Sequence, residues 1–388
     1  MVIGLLSLVV GAYMDPTDHH QKTWANLLVN GIFFFGISLG ALFFYALQYA
    51  TEAAWSVMVK RVYEGIMSYL PIGGITIFIV LLAGSFGVHH IYHWMDPRVY
   101  DPDNLEHFDK IIANKRAFLN LPFFWIRAIV YVGTFTFFAR YFRKMSLKQD
   151  QALNVPLHLK NYRRAALFLV FFAVLSSVMA WDWLMSIDVH WFSTLYGWYV
   201  FSGMWVGAMI TAVVITLYLK SKGYLPQVNN SHIQDMGKWM FAISFLWSYL
   251  WFSQFMLIWY ANIPEEVTYF MTRIEEYRVP FFTMFFINFA LPMVILMSRD
   301  AKRNPKFLIT IGALIFLGHW VDTYLLIIPG AVNFGHAHHC FGHIGLSEIG
   351  LMLGFLGMFM FVVLRTLTKA PLSPVNHPYL DESIHHSI

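Results

Sequence analysis

Ten apolar stretches separated by short polar connections dominate this chain of 388 residues. They lie near 1–13, 25–50, 67–90, 118–141, 163–181, 190–219, 239–262, 280–298, 307–329 and 346–367. A helix needs about 20 apolar residues to cross the hydrocarbon core of a bilayer, and nine of the ten are long enough. The first stretch, MVIGLLSLVVGAY, has 13 residues, lacks the basic n-region of a signal peptide and reads as a short or N-terminally incomplete span. The expected fold is all-α, a polytopic membrane helical bundle of about ten transmembrane helices. Spans 2–5 and 6–9 are expected to form two four-helix bundles with flanking helices. Neither a sequence repeat nor a linker divides the chain, so 1–388 reads as a single integral membrane domain, with 371–388 as a tail.

Composition narrows the class further. Hydrophobic residues make up 58% and charged residues 12%, against about 25% charged in a typical soluble domain. A disordered chain, a coiled coil and an ordinary soluble enzyme are excluded. The single cysteine, Cys340, cannot form an internal disulfide, supply the roughly four thiolates of an iron–sulfur cluster or complete the C-x-x-C-H motif of covalent haem. No nucleotide-binding motif is present. The net charge of +4 is modest and the basic residues flank apolar spans, so nucleic acid is not an expected partner.

Orientation follows from the basic residues. Eighteen of the 26 Lys and Arg lie in the connections after spans 2, 4, 6, 8 and 10. The positive-inside rule therefore places these connections and the C-terminus in the cytoplasm of a bacterial inner membrane. The opposite connections are acidic, aromatic and His-rich. Two of them, His89 to Ala117 and Asn262 to Val279, are long and charged; they suit docking of a partner or, equally, interfacial helices lying on lipid.

Ionisable residues within apolar spans are costly, about 2.5–3.5 kcal/mol on insertion scales, and usually face the bundle interior with a partner. Span 9, FLGHWVDTYLLIIPG, carries His319 and Asp322 three residues apart on one helix face near mid-depth. They suit proton transfer, a quinol head group or a structural brace. Arg127 in span 4 requires a carboxylate, with Asp322 and Asp182 as the candidates. The turn VMAWDWLMSIDVHWFSTLYGWYVFSG between spans 5 and 6 brings Asp182, Asp188 and His190 among Trp181, Trp183, Trp191 and Trp198. It is either a polar pocket or an N-cap at Asp188 beside an interfacial tryptophan belt. His336, His338, His339 and His343 in GHAHHCFGHIG, with Cys340, are the only metal-ligand candidates outside GVHHIYH; their spacing matches no defined zinc or copper site, and no metal is expected. His343 and Glu348 could instead open a proton path. A b-type haem is not expected, because only His319 is central.

The turn WDWLMSIDVHWFSTLYGWYVFSG, with FWIRAIVYVG before it and GHWVDTY after it, resembles the F-subunit family of bacterial alternative complex III, a branch of the NrfD or polysulfide-reductase-type membrane proteins. The resemblance runs from about residue 25 to 370. It implies a membrane subunit of a complex that oxidises menaquinol and reduces a cytochrome c or copper protein. Haem c and iron–sulfur clusters would reside on partner subunits, a second NrfD-like subunit would share the membrane, and this chain would bind no cofactor of its own. A terminal oxidase and lipids are further partners. The positions that match the motifs are Arg127, Asp182, Asp188, His190, His319 and Asp322.

Three functions follow. The chain structures such a complex without catalysing its reaction and conducts protons, along Asp182, Asp188, His190 and Glu348, then Arg127, His319 and Asp322, then hydroxyls such as Tyr199, Ser202, Thr211 and Ser244. Alternatively it binds and oxidises menaquinol itself, or it is a stand-alone secondary transporter with broken helices at the midplane.

Overall fold

A computed structural model describes residues 1–103, 107–332 and 344–387. Among these residues every regular element is helical. α1 (Val2–Met14) and α2 (Gln21–Ala50) precede a 3-10 stretch (Ala54–Val59) that feeds α3 (Lys60–Met67) and α4 (Leu70–Ser85). A loop carrying α5 (Lys110–Asn114) leads to α6 (Leu121–Gln149), α7 (Val155–Trp183), α8 (Tyr196–Ser221), α9 (Asn230–Ala261) and α10 (Pro264–Glu275). The eighth span is broken into α11 (Arg278–Phe285), a π-helical segment (Phe286–Ala290) and α12 (Leu291–Ile295). α13 (Arg299–Arg303), α14 (Pro305–Val332), α15 (Leu346–Leu367) and α16 (Leu380–Ile384) complete the described chain.

Nine helical segments among the described residues are long and apolar enough to cross a membrane, and α1 is a shorter apolar helix. The chain therefore has a multi-pass membrane architecture. α4, α6 and α7 turn Ile75, Ile79, Ile126, Ile129, Phe137, Val170 and Val174 outward, which is stable only against lipid. Several helices outrun their apolar windows: α6 continues to Gln149, α7 starts at Val155 and α9 at Asn230. Their polar turns carry Arg143, Lys160 and Lys238 beyond the oil. The ends of α2, α6, α8 and α15 share one side of the molecule, here the basic face; the opposite side is the acidic face.

Both expected bundles form. α2, α4, α6 and α7 pack as one ring, and α8, α9, α11 and α14 as the other. α2 joins them by packing on both α8 and α14. Gly36 and Gly40 allow the approach to α8: a Cβ on Gly40 would lie 2.5 Å from the Met204 carbonyl oxygen. Small residues four apart are the usual means of close helix contact in lipid, where no hydrophobic effect drives helices together. Among the described residues α2 and α14 are tied by Trp320 Nε1, which donates to Asn30 Oδ1 at 3.0 Å, and by Gln21 Nε2, which donates to the Ala331 carbonyl. α1 lies against α15, with Gly4 and Gly354 in backbone contact.

The tail is packed rather than loose. Ser383 is fully buried and donates to the Trp55 carbonyl at 3.1 Å. Asn376 donates to the Asp150 carbonyl at 2.8 Å, and His386 Nε2 lies 2.6 Å from Asp235 Oδ2. Residues 376–386 thus strap the end of α6 to the start of α9 across the basic face.

Gly40→Val is expected to cost about 1–3 kcal/mol by overpacking, read as a lower unfolding midpoint in detergent. Gly133→Ala, where an added Cβ meets nothing within 4 Å, is expected to leave the midpoint unchanged.

Candidate functional site

The candidate residues do not form a single chain; the structure sorts them into separate groups. Arg127 lies two turns into α6, and Asp182 is near the end of α7. Arg127 Nε and Nη2 donate to Asp182 Oδ2 and Oδ1, both at 2.7 Å. Tyr131 donates to Oδ2 at 2.6 Å, Arg127 Nη1 donates to the Phe118 carbonyl at 3.1 Å, and the guanidinium lies 4.0 Å from the centre of the Phe118 ring. Of the two carboxylates considered for Arg127, Asp182 is its partner. The network is closed, with the carboxylate fully buried, and acts as a brace between α6 and α7.

Asp188 does not cap α8, which starts eight residues later with Leu195 at its N-cap. It accepts from Arg273 Nη2 at 2.9 Å and fits against α14 because position 330 is glycine: a Cβ there would lie 2.5 Å from Asp188 Oδ1. Arg273 comes from α10, which packs over α9, α11 and α14 with Tyr269, Phe270 and Arg273 buried. The segment Asn262 to Val279 thus packs as a lid on the second bundle. Pro329 inside α14 has no N–H for the Leu325 carbonyl four residues back. Arg273 Nε donates to that carbonyl at 2.9 Å. Arg273 also lies 3.4 Å from the Tyr269 ring centre, and Tyr269 stacks on Trp191 at 3.9 Å. Burial works against the Arg273 charge, but Tyr269 and Asp188 outweigh it and hold the guanidinium more firmly protonated than usual.

His190 faces outward and pairs with Asp109, Nε2 to Oδ2 at 2.5 Å. Asp109 also caps α5 through the Ile111 and Ile112 amides. Burial opposes its ionisation, but the His190 and backbone hydrogen bonds prevail and hold the carboxyl below the usual range. Glu348 in the first turn of α15 pairs with Lys22 at 3.0 Å and accepts from the Gly345 amide at 2.9 Å. Of the four tryptophans of the turn, Trp183 and Trp191 are buried, Trp181 is half-buried and Trp198 is exposed, so Trp198 best fits a surface belt. His336, His338, His339, Cys340 and His343 lie outside the described residues; among the described ones no group of three or more His, Cys, Asp or Glu could hold a metal.

Asp322 differs from these carboxylates. It is buried in the middle of α14, and its hydrogen-bond donors are neutral: the Tyr199 hydroxyl to Oδ1 and Trp247 Nε1 to Oδ2 at 3.2 Å. His319 shares its helix face, as expected, but its Nδ1 is 4.0 Å from Asp322 Oδ2, and neither ring nitrogen makes a hydrogen bond. The His319 ring meets Trp247 edge-on at 5.2 Å. Two cavities flank Asp322. One, of about 330 Å³, is lined by Tyr199, Gln254, Tyr269, Arg273 and Asp322. The other, of about 380 Å³, is lined by His319, Asp322, Gly203 and Thr323. Tyr269 and Arg273 also wall an open cleft of about 630 Å³ at the acidic face, with Asp188, His190 and Glu265. On the basic side of His319, the π-helical segment carries Asn288, whose buried side-chain amide has no hydrogen-bond partner, as does the Ser244 hydroxyl. π-Segments inside helices are frequent at functional sites.

Arg273, Tyr269, Asp109 and Trp247 are not singled out by sequence reasoning. The available signal was the i, i+4 pair Tyr269 and Arg273 on a short amphipathic helix. No family model matches the chain, and no curated protein matches it.

Arg127→Gln leaves Asp182 buried without its cation and is expected to cost about 3–5 kcal/mol; adding Asp182→Asn should recover part of that loss in denaturant titrations. The contribution of ionised Asp109 is full above its unfolded-chain value, about 3.9, and is lost as pH falls through its lower folded value. A spin label at position 110 should gain mobility over that acid window in the wild type, and should already be mobile at neutral pH in Asp109→Ala.

Proposed function

We propose that this chain is the cofactor-free membrane subunit of a menaquinol-oxidising complex of the alternative complex III type, bracing the assembly and carrying protons through Asp322. The observation that carries the reading is the setting of Asp322. Asp182 spends both its oxygens on the Arg127 guanidinium, whereas Asp322 is held by a hydroxyl and an indole, so a proton can come or go there without stranding a buried cation. Asp322 also stands between two cavities, one of which shares Tyr269 and Arg273 with the cleft at the acidic face. Protons would pass between that cleft and Asp322 along water held by these walls, and onward past His319 to Ser244 and Asn288. The resemblance in the turn 181–203 supplies the complex: haem c, iron–sulfur and second NrfD-like subunits as partners, with a terminal oxidase beyond them. The excess of Lys and Arg on the basic face supports a cytoplasmic C-terminus in a bacterial inner membrane.

A second reading, menaquinol bound by this chain itself, is favoured by one feature. The cavity beside Asp322 is walled by Tyr199, Trp251, Tyr269 and Phe281, with Gln254, Arg273 and Asp322 as polar groups, a composition that suits a flat aromatic head group with polar substituents.

The test uses the complex isolated with this chain in mild detergent and placed in liposomes. Haem c and iron–sulfur subunits should co-purify. Asp322→Asn should leave assembly and quinol oxidation intact while proton uptake per quinol falls. A loss of quinol oxidation with a raised quinol KM would favour the second reading, unchanged proton uptake would remove Asp322 from the path, and isolation of the chain alone would count against the complex.

A further inference from the structure

The basic face holds a second buried site that the proton reading does not use. Lys60, the first residue of α3, is 4% exposed, yet its ammonium has no hydrogen-bond acceptor. The neighbouring carboxylates are engaged elsewhere. Glu64 accepts from Arg61 at 2.7 Å and from Arg143 at 2.5 Å, and Asp150 pairs with Arg61. An ammonium removed from water without an acceptor is expensive, so its surroundings should supply one.

They contain a small, partly open pocket, walled in part by Gln48, Lys60, Tyr63, His158 and His377. Its unused groups are mixed: the Lys60 ammonium is a donor, and the buried Gln48 Oε1, also without a partner, is an acceptor. The Tyr63 hydroxyl and both ring nitrogens of His158 are buried without a hydrogen bond. His377 Nδ1 accepts the Tyr379 amide at 3.3 Å, so a neutral ring carries its proton on Nε2. The one carboxylate of the lining, Glu52, is exposed, 3.7 Å from His158 Nε2, and accepts from the Tyr379 hydroxyl at 3.3 Å. His158 lies in the first turn of α7, where the helix dipole favours negative charge. Beside it, Lys160, Arg163 and Arg164 are exposed next to Leu159 and Tyr162, a basic and apolar surface of the kind that meets anionic lipid.

We propose that this cavity binds a phosphate-type oxyanion, held by the Lys60 ammonium and by the Tyr63 and histidine donors, with the C-terminal strap closing over it through His377 and Tyr379. The ligand is the phosphodiester of an anionic lipid or free phosphate; the chemistry of recognition is shared.

The test measures unfolding midpoints of the full chain, delipidated in detergent, with inorganic phosphate or with phosphatidylglycerol, each against chloride and phosphatidylcholine controls. A rise with phosphatidylglycerol alone supports the lipid source, and a rise with phosphate supports the free anion. Lys60→Met should weaken the response about tenfold, in keeping with loss of a charge-assisted contact, while Lys160→Gln on the open surface should retain it. If Lys60→Met does not fold, Tyr63→Phe, which removes one donor and keeps the ring, should still weaken the response. No response in the wild type, or the same response in the wild type and both cavity variants, would mean that water fills the cavity and would overturn the proposal.

Discussion

Hydrocarbon offers a buried charge no hydrogen bonds, so every ionised group within the bundles must find its partner on another helix. That requirement organises this structure. Arg127 and Asp182 fasten α6 to α7 near the acidic face; Arg61, Glu64, Arg143 and Asp150 fasten α3 to α6 at the basic face. Lys22 and Glu348 tie α2 to α15. Each pair removes a liability, and the bidentate contact of Arg127 with Asp182 also fixes the register of α6 against α7, because it tolerates little sliding.

Against this background Asp322 is conspicuous for the neutrality of its donors. Its position between cavities, below a lid that brings in Arg273, gives the second bundle a polar interior with space beside the carboxylate. The first bundle, closed around Arg127 and Asp182, works as a strut. The division of labour falls along the seam where α2 meets α8 and α14, and the glycines there bring the two halves close enough for Asn30 and Trp320 to meet.

The fold was largely legible in the sequence because hydropathy reports the thickness of the oil. The nine long spans, their alternation and the two bundles all follow from it. Helix ends were less legible: α7 and α9 begin eight or nine residues before their apolar windows, since a helix can continue into water without changing the hydropathy signal. The site was legible in its parts and not in its pairings. Asp322 and His319 stand out by depth alone, but the hydroxyl and indole that hold Asp322 come from α8 and α9. The partner of Asp188 lies 85 residues away on a helix that reads equally well as a surface loop. Besides its i, i+4 pairing with Tyr269, the need for Arg273 shows in the sequence through Pro329, which strands the Leu325 carbonyl. The π-helical segment at Asn288 has no sequence signature beyond the proline that follows it.

The strap formed by residues 376–386 carries a consequence for biogenesis. A nascent chain leaves the ribosome N-terminus first, so Asp150 and Asp235 must wait, without these tail contacts, until every transmembrane helix has been inserted. Residues 376–386, translated after all the described membrane-spanning helices, then fasten the first bundle to the second. Completion of the basic face therefore follows insertion of the described membrane-spanning helices, and loss of residues 376–386 would leave those spans in place while removing the clasp between the two bundles.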